Sequence, residues 1–371
     1  MTDDRLRKVK SLMGEGGYDC LLISPGPNQR YLTGLHYDYP GDAWDTIITW
    51  DMITTEIIPL DGEPVLVAPK TSEKWVTETT KISDIRCYSG GRNRAAIFKD
   101  VLGKMKGTLG VEDQLPFKIC EQLIATSPQL ELKNASEMLG AARIVKSKEE
   151  ILHMRKAAGI VERGVKVGRE CIHESITEME VSIEVEKAMR KHGAESISYC
   201  VVQTGAKTAT WNAPSEDRVK KGDMFLMDLS ATYNGYHADI TRATVVGKPS
   251  EKQVKVFHAV QEAQLKAIEA IRDGVKGGVV NDAGRKVIVD RGYGDHFPFG
   301  IGHGLGLEAH EPPHLTEYRD MEMVLQPGMV ITVEPTINLT GEFGVRIEDD
   351  VLVTVGGRER LTTLGRELVE I

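Results

Sequence analysis

Gly222-Asp-Met-Phe-Leu-Met-Asp228, followed by His237-Ala-Asp239-Ile-Thr-Arg242, returns in the same chain as Gly328-Met-Val-Ile-Thr-Val-Glu334, followed by Gly344-Val-Arg-Ile-Glu348-Asp-Asp350. Each glycine stands six residues before an acid, and each acid closes an apolar run that reads as a strand. A second acid follows on the next run. Carboxylates carried by apolar strands are expensive unless they are paired or bind a metal. Taken one at a time, Asp228, Asp239, Glu334 and Glu348 read as polar punctuation at strand ends, because acids are mostly exposed. The repeated register argues against that reading. Between the copies lies one glycine-flanked imidazole, His303, and four acids with one histidine suit two hard divalent cations.

Local geometry supports convergence. Asn234-Gly235 has the composition of a two-residue hairpin turn. That turn sets Ser230 opposite Asp239 and places Asp228 diagonal to Asp239 on the same face, since residues two apart share a face of a strand. The second pair is spaced more widely, with Thr340-Gly341-Glu342-Phe343-Gly344 as a longer turn. Carboxylates with a single imidazole favour Mn²⁺, Co²⁺, Fe²⁺ or Zn²⁺ over thiolate-seeking metals. Two such ions lower the pKa of a shared water from about 16 towards 7, which yields a nucleophile at neutral pH.

Asp228, Asp239, the run Gly300-Ile-Gly-His303-Gly-Leu-Gly-Leu-Glu-Ala-His310-Glu311, then Val333-Glu334-Pro335 and Arg346-Ile-Glu348 together resemble the pita-bread metallohydrolases. That family includes methionine aminopeptidase, proline aminopeptidase, prolidase and creatinase, and is M24-like among the peptidases. The N-terminal segment is similar to the first domain of the prolidase and creatinase branch. The resemblance implies an α/β (α+β) chain of two domains, an N-terminal creatinase-like domain and a C-terminal catalytic domain with a curved antiparallel sheet and a pseudo-twofold repeat. It implies Asp228 as ligand of one metal, Asp239 and Glu348 as bridges, and His303 with Glu334 as ligands of the other. Glu334 also resembles the residue that shuttles a proton. His310 matches the histidine that steadies the tetrahedral intermediate, a contact worth about 3 kcal/mol of transition-state stabilisation. Arg346 precedes Glu348 by two and shares its face, so it is expected to orient carboxylates.

Two positions depart from the peptidase pattern. Where the peptidases carry a further histidine upstream of the first metal aspartate, this chain has Trp211, inside Thr208-Ala-Thr-Trp-Asn-Ala-Pro214. Trp211 and Asn212 offer an apolar wall and one polar contact to a substrate, but no proton carrier. The basic position after His310 is His314. The leading expectation is a dinuclear-metal hydrolase that cleaves the Xaa-Pro bond of dipeptides or short peptides. The alternatives are a same-fold enzyme acting on a small non-peptide substrate, by creatine- or ectoine-like C–N hydrolysis or as a sulfonium lyase, and a non-catalytic binding protein. Five intact ligands disfavour a silent scaffold and metal-free creatinase chemistry.

The net charge of −9 and the lack of a basic run argue against nucleic-acid or anionic-membrane partners. No stretch approaches the roughly 20 apolar residues of a membrane span, so a cytoplasmic location is the expectation. Cys20, Cys87, Cys120, Cys171 and Cys200 are odd in number and form no C-x-x-C pair, which indicates neither disulfide framework nor zinc knuckle. The glycines around His303 alternate rather than forming G-x-G-x-x-G, and read as positions of close backbone approach.

At 371 residues the chain is comfortable for two domains, placed at 1–142 and 143–371. The first alternates helical runs (Leu6 to Met13, Val76 to Thr80, Arg94 to Met105) with strands at Cys20–Ile23 and Pro64–Val67. Ser24-Pro-Gly-Pro-Asn28 reads as a turn cluster followed by Tyr31–Leu35, a stretch that resembles the element by which the first domain of the prolidase branch begins its second strand. In the second domain Ser147 with Glu150, and Thr177 with Glu180, read as capping boxes opening helices to about Ile172 and Lys191, and Glu251 to Ile271 makes a third. The resemblance also implies a homodimer, with Trp44 as the residue that would lean over the partner's site.

Overall fold

The computed structural model describes residues 3–35, 54–115, 117–316 and 320–371. The chain divides into two compact units, Met1–Arg143 and Ile144–Ile371. Trp44 lies outside the described residues.

Among the described residues the first unit is built on six strands, β1 (Cys20–Ile23), β2 (Thr55–Pro59), β3 (Val65–Pro69), β4 (Asp84–Tyr88), β5 (Gly107–Val111) and β6 (Leu130–Asn134), in the order β4-β3-β2-β1-β5-β6. The pairs β1–β2 and β2–β3 are antiparallel and the rest parallel. Central strands of a mixed α/β sheet are covered on both faces, which is why β1 and β3 are apolar at nearly every position. The expectation for Ser24 to Leu35 needs correcting, because Pro27–Thr33 is a helix. Pro27 supplies a preset φ in the first turn, where its missing N–H goes unused. Gly34 ends the helix at φ 76° and donates to the Arg30 carbonyl.

Glu56 of β2 is fully buried, and neither carboxylate oxygen has a hydrogen-bond partner among the described residues. Burial, with Glu112 adding to it, pushes its carboxyl up to about 8. A carboxyl raised in the folded state favours the protonated form there. The fold therefore loses stability as pH climbs from the ordinary carboxylate range, near 4.5, to about 8. Glu56→Gln is expected to be the more stable protein at pH 8, by on the order of 3 kcal/mol, and nearly equal to the parent at pH 4. Denaturant midpoints at the two pH values check this, and a Gln variant no more stable at pH 8 contradicts it.

In the second unit the helix Lys148–Cys171 opens with the Ser147/Glu150 capping box and Glu178–Lys191 with the Thr177/Glu180 box, each with both reciprocal bonds. Glu251–Ala270 follows, capped by Ser250 with Gln253. A further helix, Gly277–Asp290, has no counterpart in the sequence reading, because its Gly-Gly-Val-Val opening has poor helix propensity. No helix among the described residues is long and apolar enough to cross a membrane.

The strands are β7 (Ile197–Thr204), β8 (Met224–Tyr233), β9 (Tyr236–Val245), β10 (Gly302–Gly304), β11 (Glu311–Leu315), β12 (Val330–Val333), β13 (Thr336–Leu339), β14 (Phe343–Arg346), β15 (Asp349–Thr354), β16 (Gly357–Arg360) and β17 (Val369–Glu370). They form a sheet of order β17-β9-β8-β7, another of order β11-β10-β12-β15-β16, and the ribbon β13-β14. The first hairpin has the expected register, with Ser230 opposite Asp239 and Asp228 opposite Thr241. Its turn residues Asn234 and Gly235 both have positive φ, 48° and 77°, as a type I′ turn requires.

The second hairpin is interrupted. Val333 pairs with Asp349 and Thr336 with Arg346, the same register on either side of a gap at Glu334-Pro335 and Ile347-Glu348. Pro335 has no N–H to give the ladder. The Glu334 N–H goes instead to the Ile301 carbonyl (2.8 Å) and the Glu348 N–H to the Thr241 carbonyl (3.1 Å), so both acids sit where the sheets exchange backbone bonds. The turn is shorter than expected: Leu339 pairs with Phe343, leaving only Thr340, Gly341 and Glu342 in the loop.

Candidate metal centre

The seam between the two sheets gathers the acids. Asp228 from β8 and Asp239 from β9 are 2% and 0% exposed, and Glu348 is 1% exposed. His303 enters on β10, whose glycines allow unusually close packing. A Cβ on Gly302 would lie 2.0 Å from the Thr332 carbonyl oxygen, and one on Gly304 would lie 2.2 Å from that of Pro312. Asp239, His303 and Glu348 offer ligand atoms all within 4.8 Å of one another. His303 Nε2 stands 3.1 Å from Glu334 Oε1. Arg346 lies between the remaining acids, with Nη1 donating to Asp228 and Nε 4.0 Å from Glu334 Oε2. It therefore joins Asp228 to Glu334 rather than gripping Glu348.

Electrostatics show why this cluster wants a cation. Burial, opposed by Arg346, pushes the Asp228 carboxyl up to about 6. Burial first, then neighbouring carboxylates, drive Asp239 and Glu348 well above the ordinary range. Burial also disfavours charge on His303 and Glu334, but their mutual hydrogen bond and attraction outweigh it, raising the imidazole and lowering the carboxyl. Metal binding competes with the proton held in that pair.

The donor set fits hard divalent ions. Among the described residues, Asp228 Oδ1 and Asp239 Oδ1 are buried without a hydrogen-bond partner. His303 Nδ1 is 2.9 Å from the Gly304 carbonyl oxygen, which assigns its proton to Nδ1 and leaves the Nε2 lone pair to a metal.

Several neighbours were missed from sequence. Tyr199 donates to Asp239 Oδ2, Thr241 Oγ1 to Glu348 Oε2 (2.6 Å), and Thr332 Oγ1 to Glu334 Oε1 (3.3 Å), while Asp350 Oδ2 accepts the Asp239 N–H (3.0 Å). Buried Arg242 donates to the Glu348 carbonyl (2.6 Å) and to Asp349 (2.8 Å). Thr241, Thr332 and Asp350 each stand two residues from a named acid, so strand parity was the signal that would have found them. Tyr199 carries no comparable signal.

At the edge of the acids, the His310 ring centroid lies 4.2 Å from that of His303 and 6.3 Å from Tyr199. Desolvation, then the neighbouring His303, pushes the His310 imidazole down to about 4, so at neutral pH it is uncharged and has one N–H to donate. Trp211 stands edge-on to Tyr199 at 5.8 Å, with the Arg346 guanidinium 5.3 Å from its ring. Trp211 and Arg346 line a cleft of about 300 Å³ that also includes His296, Phe299 and Asn338. Asn212 turns its amide to the Thr210 hydroxyl (2.7 Å) rather than to the acids. His314 is the Cα partner of His303 across β10 and β11, with its N–H on Asp320.

The model of metallopeptidase family M24 matches residues 152–355, and that of the creatinase/prolidase N-terminal domain matches residues 5–145. The chain belongs to metallopeptidase family M24. It is 34% identical to an Xaa-Pro dipeptidase of Pyrococcus horikoshii and 35% identical to one of Pyrococcus furiosus, in each case over 99% of both chains. The solved prolidase from Pyrococcus horikoshii superposes with a TM-score of 0.89 at 32% identity, covering 99% of this chain and 100% of that one. An Xaa-Pro dipeptidase from Bacillus anthracis superposes at 0.88 and 29%, covering 99% of each chain. Membership in this family implies use of divalent metal ions.

Proposed function

We propose that this M24 enzyme is an Xaa-Pro dipeptidase, with Asp228, Asp239, His303, Glu334 and Glu348 holding two divalent ions drawn from Mn, Co, Fe and Zn. The observation that carries the reading is the convergence of Asp239, His303 and Glu348, with Glu334 against His303 and Asp228 linked to Glu334 through Arg346, in a chain similar over its whole length to enzymes named for that activity. When bound, the ions supply Lewis acidity and lower the pKa of a water. Asp228 would hold one ion, Asp239 and Glu348 would be shared by both, and His303 with Glu334 would hold the other.

The side chain of Glu334 is 22% exposed, whereas that of Asp228 is only 2% exposed. It faces the open side of the site and can take a proton and pass it to the departing proline nitrogen. Thr332 donates to one of its oxygens and the Arg346 guanidinium stands 4.0 Å from the other. Neutral His310 donates its N–H to the oxygen on which charge develops. In this reading Trp211 forms an apolar wall for the substrate, and Asn212 and His314 are proposed as polar contacts to it. The proposal extends to domains at 1–142 and 143–371 and to a cytoplasmic homodimer with Trp44 at the partner's site; a monomer by light scattering removes the last part.

Proline release from a panel of Xaa-Pro dipeptides, by enzyme reconstituted with Mn²⁺ or Co²⁺, tests the reading. Robust release is expected, and Trp211→Ala should raise KM about tenfold with metal content unchanged. No release from protein shown to hold two metals overturns it in favour of a small non-peptide substrate.

A further inference from the structure

Trp211 and Phe299 are 56% and 59% exposed, and both line the cleft beside Arg346. An exposed aromatic on a loop makes a selective wall only if the loop keeps its place without substrate. The loop from Gly205 to Ser215 is held by a group outside it. Glu178, 0% exposed, accepts the Thr204 N–H (2.8 Å) on one oxygen. On the other it accepts the Ser215 N–H (3.0 Å), the Ser215 hydroxyl (2.9 Å) and the Lys207 ammonium (3.2 Å). One carboxylate thus ties together both ends of the loop that carries Trp211.

Helix capping does not explain these bonds. Thr177 already caps the Glu178–Lys191 helix, and the first helical N–H groups have partners of their own: Glu178 N–H bonds the Asp217 carbonyl (3.1 Å) and Met179 N–H that of Ser215 (3.0 Å). The Glu178 carboxylate is spent entirely on the loop. At mid-loop, Thr208 Oγ1 accepts the Gly344 N–H (2.8 Å), and a Cβ on Gly344 would lie 2.2 Å from the Thr208 carbonyl oxygen. Gly344 stands two residues before Arg346 on β14, so the loop is docked on the strand whose guanidinium meets the Trp211 ring.

We infer that Glu178 is a positioning residue for substrate selection: it holds Trp211 as a preformed wall against the apolar ring or side chain of the substrate. The inference rests on the cleft being the substrate's. Glu178→Gln keeps the size of the side chain but replaces one acceptor oxygen with a donor that faces N–H groups. Its kcat/KM for substrates with a bulky apolar residue should fall about tenfold, chiefly through KM, with metal content unchanged. Placed on a Trp211→Ala background, the same change should cause almost no further loss. An equal loss on both backgrounds, or a loss of bound metal, overturns the inference. A second readout needs no turnover: acrylamide quenching of the Trp211 emission, taken as the difference between the protein and its Trp211→Phe variant, should rise in Glu178→Gln. Unchanged quenching overturns the positioning role even if the activity proves to be a different one. If Glu178→Gln does not fold, Ser215→Ala, which removes one donor, is expected to show the same non-additivity with Trp211→Ala at smaller size, and additivity there overturns the inference.

Discussion

Glu334→Ala is expected to lower turnover by about a thousandfold or more while leaving the fold intact. The fold should survive because Glu334 sits beyond the end of β12, where Pro335 has already broken the ladder, and because its backbone N–H still reaches the Ile301 carbonyl. Turnover should not survive. The substitution removes the most accessible carboxylate of the cluster, the partner of His303 Nε2 and one of the two acids joined by Arg346. Circular dichroism and a denaturant midpoint establish the fold, and retention of more than a few per cent of activity removes Glu334 from its assigned role.

Asp239→Ala should lower metal content while costing the metal-free fold little. Asp239 is fully buried, accepts from Tyr199, and is pushed well above the ordinary carboxyl range by burial and by Asp228 and Asp350. A residue shared by two ions should take the content below two per chain when removed, measured by elemental analysis after reconstitution. Crowded carboxylates also weigh on the metal-free fold, so removing one should cost that state little. Metal then stabilises the parent by mass action, about 2.7 kcal/mol at a hundredfold excess over Kd, and the variant by much less. Unchanged stoichiometry, or an equal metal-dependent gain in both proteins, contradicts the bridging position.

Much of this architecture was legible because period-two strands and turn chemistry are local. Asn234-Gly235 demanded positive φ, and that alone set the Asp228 and Asp239 register. Ser147/Glu150 and Thr177/Glu180 announced their helices through reciprocal bonds that span three residues. Where the reading failed, the deciding contacts were distant or mixed in signal. Pro27–Thr33 hid behind two prolines and a glycine that read equally well as a turn. Gly277–Asp290 has weak propensity and is helical because Val280 and Ile288 are buried in the core. The ligands' supports split the same way. Thr241, Thr332 and Asp350 follow from strand parity, but Tyr199 and Glu178 reach the site from separate elements that only the tertiary fold brings near.

The most direct test of the two-ion centre is a titration of metal-stripped protein with Mn²⁺ or Co²⁺, in which bound metal and proline release from an Xaa-Pro dipeptide are followed together. The predicted result is no release without metal, two ions bound per chain at saturation, and release that follows their binding. Full release from stripped protein, or saturation at a single ion with full activity, would contradict the account.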